Sequence, residues 1–167
     1  IVNAMLGRER SIVTPIAGTT RDALDTPFNY FGQEITLIDT AGLRRKSKIT
    51  ENIEFFSTLR TFKSIERCDV ALCLVDATEG LLHQDIDIIS DAIGHHKGVV
   101  ICVNKWDLLE EKDSNTAKRI EDDIAARVKM YDYVPVVFVS ALTRQRVTKA
   151  LDTCIEVYNE RDKRVST

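Results

Sequence analysis

From residue 70 onward, short apolar runs rich in β-branched residues alternate with longer segments of helical periodicity. Few folds satisfy that pattern. Val70–Val75, Val99–Val103 and 134–140 are apolar at nearly every position, with no alternation of polar residues. Such strands must be buried on both faces, which requires a largely parallel sheet covered by helices on each side. The intervening segments supply those helices. Ile86, Ile89 and Ile93 fall on one face of a helix over 83–94, and Ile120, Ile124 and Val128 on one face of a helix over 116–130. A last helix covers 146–160.

The first 69 residues read differently. "IVNAMLG" (1–7) reads as the tail of a helix closed by Gly7. A polar loop holding Pro15 and Gly18 follows. "TPFNYF" (26–31) and "EITLID" (34–39) flank Gly32-Gln33, which suggests a β-hairpin. After a basic stretch over 40–52, Phe55, Phe56, Leu59, Phe62 and Ile65 recur at helical spacing, predicting a helix over 53–67. The 167 residues fit one domain, 44% hydrophobic and 29% charged, which is ordinary for a globular protein. The net charge of −3 argues against a generally basic nucleic-acid binder. No apolar run approaches the roughly 18 residues needed to span a membrane. Cys68, Cys73, Cys102 and Cys154 lack the close spacing of a zinc site and read as reduced thiols of a cytoplasmic protein.

In open parallel sheets ligands bind beyond the carboxyl ends of the strands. Strand 34–39 ends in "DTAG", 70–75 in "DAT", 99–103 in "NKWD" and 134–139 in "SAL", while the polar loop before the hairpin carries "GTTRD". The NKWD cluster has a specific chemical reading. The Asp107 carboxylate matches the paired donors of guanine, its N1–H and exocyclic amine. Adenine lacks that pair and would leave the carboxylate unpaired, a strong basis for rejection. Asn104 can tie the loop together and contact the base edge, and the stem of Lys105 can lie over the flat base. Trp106 reads as packing beneath the loop. Backbone N–H groups at Ser140 and Ala141 are candidate donors to the guanine O6, with Leu142 next to them. The plain alternative for NKWD is a polar turn after a strand.

DTAG reads as the phosphate end. Asp39 suits a magnesium ion, held directly or through water. Gly42 lets the backbone approach a terminal phosphate, with Thr40, Ala41 and Leu43 around it. The GTT loop can add a hydroxyl to the same metal, from Thr20 or alternatively Thr19.

The four elements occur in the order GTT, DTAG, NKWD, SAL, with Asn104 65 residues after Asp39 and Ser140 36 after Asn104. That set resembles a P-loop GTPase, a three-layer α/β fold, over essentially the whole chain. "TPIAGTTRD", "LIDTAGLRRK", "RCDVALCLVDATEG" and "CVNKWDLL" resemble the Era-like branch, in particular the second GTPase domain of the EngA (Der) family. The resemblance implies binding of GTP and GDP with Mg²⁺, and hydrolysis of GTP by water. It also implies a role in assembling the large ribosomal subunit, with rRNA and the neighbouring GTPase and KH-like domains as partners. A nucleotide-dependent interaction module without turnover, or the domain of a tRNA-modification GTPase, is the alternative.

Two departures stand out. The position that carries a water-orienting Gln in Ras-like enzymes is Leu43, so the resemblance implies slow intrinsic turnover, and some relatives place K⁺ near the phosphates instead. The Gly-rich loop with Gly-Lys-Ser/Thr that cradles phosphates has no match in these residues. "IVNAML" resembles the helix that directly follows that loop. The expectation is therefore a single G domain over 1–167 whose phosphate loop and preceding strand lie upstream of Ile1, and whose residues 161–167, ending "RVST", begin a linker to another domain. Arg44, Arg45, Lys46 and Lys48 read as a basic switch segment or a solvated charged loop.

Overall fold

The computed structural model describes residues 1–7, 25–38, 61–109, 112–128 and 133–161. The chain parses into two compact units, Ile1–Cys68 and Asp69–Thr167.

In the first unit a short helix α1 (Val2–Gly7) buries Ala4 and Met5. Strands β1 (Asp25–Tyr30) and β2 (Gln33–Ile38) pair antiparallel, from Asp25 opposite Ile38 to Tyr30 opposite Gln33. The turn residues are thus Phe31 and Gly32, one position earlier than the expected Gly32-Gln33. Both have positive φ, 48° and 85°, as a two-residue turn matched to the strand twist requires. Glycine meets that demand freely, and the Asn29 side chain accepts the Gly32 N–H at 2.8 Å. This register turns Phe28 and Tyr30 inward and leaves Phe31 exposed. Residues 61–67 are helical (α2), the described part of the helix expected over 53–67. The Arg67 guanidinium there pairs with the Asp25 carboxylate.

The second unit is built on β3 (Val70–Asp76), β4 (Gly98–Asn104) and β5 (Val136–Phe138), parallel and in the order β3-β4-β5. β4 is central, and Gly98 through Val103 are all buried, as its unbroken apolar run demands. Helix α3 (His83–Gly94) matches its expected bounds and packs on β3 and β4. Asp85, buried in its first turn, accepts the Leu82 N–H at 2.9 Å and so closes an otherwise orphaned donor. Helix α5 (Val147–Arg161) also covers β4 and β3. There Gly98 permits close approach, because a Cβ at that position would lie 2.6 Å from Val157 Cγ1 and 3.0 Å from Val70 Cγ2.

Helix α4 (Thr116–Arg127) stops short of the expected residue 130. Val128 leaves helical geometry and its N–H closes the last turn on the Ile124 carbonyl. At the other end Asp113 Oδ1 accepts the Asn115 N–H and the Thr116 hydroxyl, tying down the entry to the helix. Val75, Leu81, Val103, Ile120 and Ile124 line a cavity of about 210 Å³ between the strand ends and α4. The apolar run 134–140 contributes only three paired residues, since β5 pairs with Ile101–Val103 and no further. Val139 and Ser140 beyond it are nonetheless fully buried.

Candidate nucleotide site

The parallel register places Asp76, the last residue of β3, beside Asn104, the last of β4. The two ends are joined further by the Ala77 N–H, which donates to the Asn104 carbonyl at 2.9 Å. The chain then turns sharply. Lys105 has φ of 63°, and Trp106–Leu108 form a single 3₁₀ turn closed by Leu108 N–H on the Lys105 carbonyl at 2.9 Å. The turn is pinned from below. The Trp106 N–H donates to the Val139 carbonyl at 3.1 Å, and its ring packs 4.7 Å from that of Phe138. Lys112 reaches over the same indole and donates to the Trp106 carbonyl. Trp106 thus sits where a packing residue would.

Two of the expected base contacts have defined environments. Asp107 Oδ1 is buried and has no hydrogen-bond partner among the described residues. A buried acceptor without a donor is costly, and native proteins keep few of them. A donor pair such as that of guanine would satisfy it, so this residue fits the base. Asn104 uses its side-chain oxygen to accept the Ala141 N–H at 3.0 Å, linking the loop after β4 to the loop after β5 across 37 residues. That bond supplies the loop tie expected of Asn104.

The O6 donors stand differently from expectation. The Ser140 N–H donates to the Gln145 carbonyl and the Ala141 N–H to Asn104, so both are engaged within the protein. The Ser140 hydroxyl, fully buried, accepts the Thr143 N–H at 3.0 Å. These bonds anchor the loop at its buried first residue, Ser140, whose polar groups must be paired, while 142–146 are exposed. Leu142 is 82% exposed beside them.

Asp76 was visible only as the end of a strand. In the structure it is 6% exposed, yet every part of its carboxylate is used. Oδ1 accepts the Thr78 N–H at 2.9 Å and the Thr78 hydroxyl at 2.8 Å, while Oδ2 meets the Lys105 ammonium at 2.5 Å. Burial pushes its pKa up, but the Lys105 ammonium and the Thr78 bonds outweigh that and hold it at about 2. The sequence signal was an acid closing a buried strand whose neighbour is followed by a lysine.

Thr19, Thr20, Asp39, Thr40, Ala41, Gly42 and Leu43, with the basic segment after them, lie outside the described residues. The metal positions expected at Thr20 and Asp39 belong to that group. Among the described residues no cluster of His, Cys, Asp or Glu is arranged to hold a metal, and no helix is long and apolar enough to cross a membrane. The four cysteines form no disulfide with one another.

Comparison with known proteins gives a consistent picture. GTPase Der of Chloroherpeton thalassium is 53% identical over 166 residues, covering 99% of this chain and 38% of that protein. GTPase Der of Chloroflexus aggregans is 52% identical, covering all of this chain and 37% of its own length. The chain therefore spans well under half the length of these curated relatives. Among solved structures, a point variant of Aquifex aeolicus Era bound to GDP·AlF₄⁻ superposes with a TM-score of 0.69 at 27% identity, covering 93% of this chain and 51% of that one. Era in complex with MgGDPNP and nucleotides 1506–1542 of 16S rRNA gives 0.70 over the same shares at 27% identity. A probable GTP-binding protein engB gives 0.68 at 15% identity over 95% of this chain and 93% of that one, a likeness of fold alone. The architecture is thus the α/β fold of the P-loop GTPases, as the strand–helix alternation required. A sequence profile described as "50S ribosome-binding GTPase" matches residues 1–105, and the chain belongs to that family.

Proposed function

We propose that this chain is the guanine-nucleotide-binding and GTP-hydrolysing switch domain of a protein acting in assembly of the large ribosomal subunit. The observation that carries the reading is Asp107 Oδ1, a buried acceptor without a partner among the described residues, in the turn that follows the central strand. Asn104 fixes the loop around it and Lys105 flanks it. The phosphate end of the site is assigned to Thr40, Ala41, Gly42 and Leu43, and Mg²⁺ to Asp39 with Thr20 or Thr19. Bound Mg²⁺ supplies positive charge to the phosphates during attack of water on the γ-phosphate. K⁺ is a second cation this reading allows near the phosphates. The partners assigned are rRNA, the large subunit and neighbouring GTPase and KH-like domains; the family description "50S ribosome-binding GTPase" and the Era complex with 16S rRNA support the ribosomal part.

The test is equilibrium binding of fluorescent GDP and ADP to the full-length gene product, followed by GTP turnover with Mg²⁺, with and without K⁺. Because adenine would leave the carboxylate unpaired, GDP should be preferred by roughly 10³-fold or more. Asp107→Asn should abolish most of that preference. Equal retention of ADP and GDP would overturn the guanine assignment, and tight GDP binding with no turnover in either salt would overturn the hydrolase half alone.

A further inference from the structure

We propose that Asp76 is a positioning residue for the base: it anchors the Lys105 ammonium so that the lysine stem is held ready as a platform for the flat face of the purine. The inference rests on the guanine-nucleotide reading above and extends it to a residue with no part in base recognition by itself.

The geometry divides the work of one carboxylate between two tasks. Oδ1 is occupied by the backbone and hydroxyl of Thr78, which fixes the carboxylate plane. The same turn is closed by the Gly80 N–H on the Asp76 carbonyl at 2.9 Å, with Gly80 at φ of 71°. Oδ2 is left for Lys105, at 2.5 Å. The exposures of the two side chains show what this leaves open. The Asp76 side chain is 7% exposed, whereas the Lys105 side chain is 52% exposed. Its charged head is tied to a buried acid while about half of the side chain's surface stays accessible to a ligand. The positive φ of Lys105 and the parallel register of Asp76 with Asn104 bring the two residues together across adjacent strand ends.

Preorganisation is the energetic gain. A lysine stem has four rotatable bonds, and ordering it on binding opposes affinity. A head anchored beforehand removes part of that loss. Release of the anchor should therefore weaken nucleotide binding without altering which base is chosen, because Asp107 is untouched.

The experiment measures dissociation of fluorescent GDP from the full-length gene product carrying Asp76→Asn, Lys105→Met, or both. Asn at position 76 keeps an oxygen for Thr78 and removes only the charge facing Lys105. Met at position 105 keeps much of the stem and removes the head. Each single substitution should speed GDP release roughly five- to tenfold. Adding Asp76→Asn to Lys105→Met should change the rate less than about twofold, since the two act through one contact. A purely structural Asp76 would slow or speed release by the same factor in both backgrounds, and that result overturns the proposal. So does a wild-type rate in either single variant; if Asp76→Asn does not fold, a wild-type rate in Lys105→Met still overturns the proposal. Failure of the unsubstituted protein to bind GDP would instead count against the function proposed above.

Discussion

The bond between Asn104 and Ala141 makes a quantitative prediction. It spans the ends of β4 and β5 at 3.0 Å in a part-buried setting. Asn104→Ala removes the acceptor and leaves the Ala141 N–H unpaired. An abandoned buried donor costs about 1–3 kcal/mol. Partial access of water here argues for the lower part of that range, about 1–2 kcal/mol of local opening energy, equivalent to roughly 5- to 30-fold in a conformational equilibrium. Amide hydrogen exchange reads this directly, and the peptide containing Ala141 should exchange faster by that factor in the full-length protein. Asn104→Asp provides the control. Its carboxylate oxygen can still accept the N–H, so exchange at Ala141 should stay close to wild type even where nucleotide binding suffers. Exchange within twofold of wild type in Asn104→Ala, or equal acceleration in both variants, would refute the assignment of Asn104 as the tie.

Two further outcomes follow from packing and charge. Gly98→Ala should destabilise the second unit by about 1–3 kcal/mol in urea unfolding, because the new methyl meets two stiff valine side chains at 2.6 and 3.0 Å, and Val157→Ala in the same chain should recover part of the loss. The folded-state pKa of Asp76, about 2, lies below the unfolded value near 4, so its contribution is fully present above pH ~4 and lost as the pH falls toward 2. The stability gap between wild type and Asp76→Asn, followed by acid titration, should therefore be flat at neutral pH and close between about pH 4 and 2.

The fold was legible wherever hydrophobic periodicity was strong and burial complete. Helix α3 needed only the spacing of its isoleucines, and β4 only its unbroken apolar run. Legibility failed at boundaries, for identifiable reasons. The hairpin turn moved by one residue because the turn demanded positive φ at two consecutive positions, a constraint that the composition of the loop does not announce. Helix α4 ended early although Val128 continued its apolar face and is itself buried, since periodicity reports burial and not the backbone angles that close a helix. The run 134–140 reads as one strand but pairs over three residues, because beyond Phe138 the backbone turns to the loops, the Val139 carbonyl accepting the Trp106 N–H and the Ser140 N–H donating to the Gln145 carbonyl.

The candidate site divides along the same line. The chemistry that can meet a guanine base, a carboxylate three residues beyond an asparagine at a strand end, is local and was readable residue by residue. The uses of Asp76 and of the Ala141 N–H were not. Asp76 lies 29 residues from Lys105 and Ala141 lies 37 from Asn104, so neither contact leaves a mark in local spacing. The parallel register of β3, β4 and β5 brings those pairs within bonding distance. Residue type settles what a side chain is able to bind, and only the packed sheet settles which neighbours reach it first.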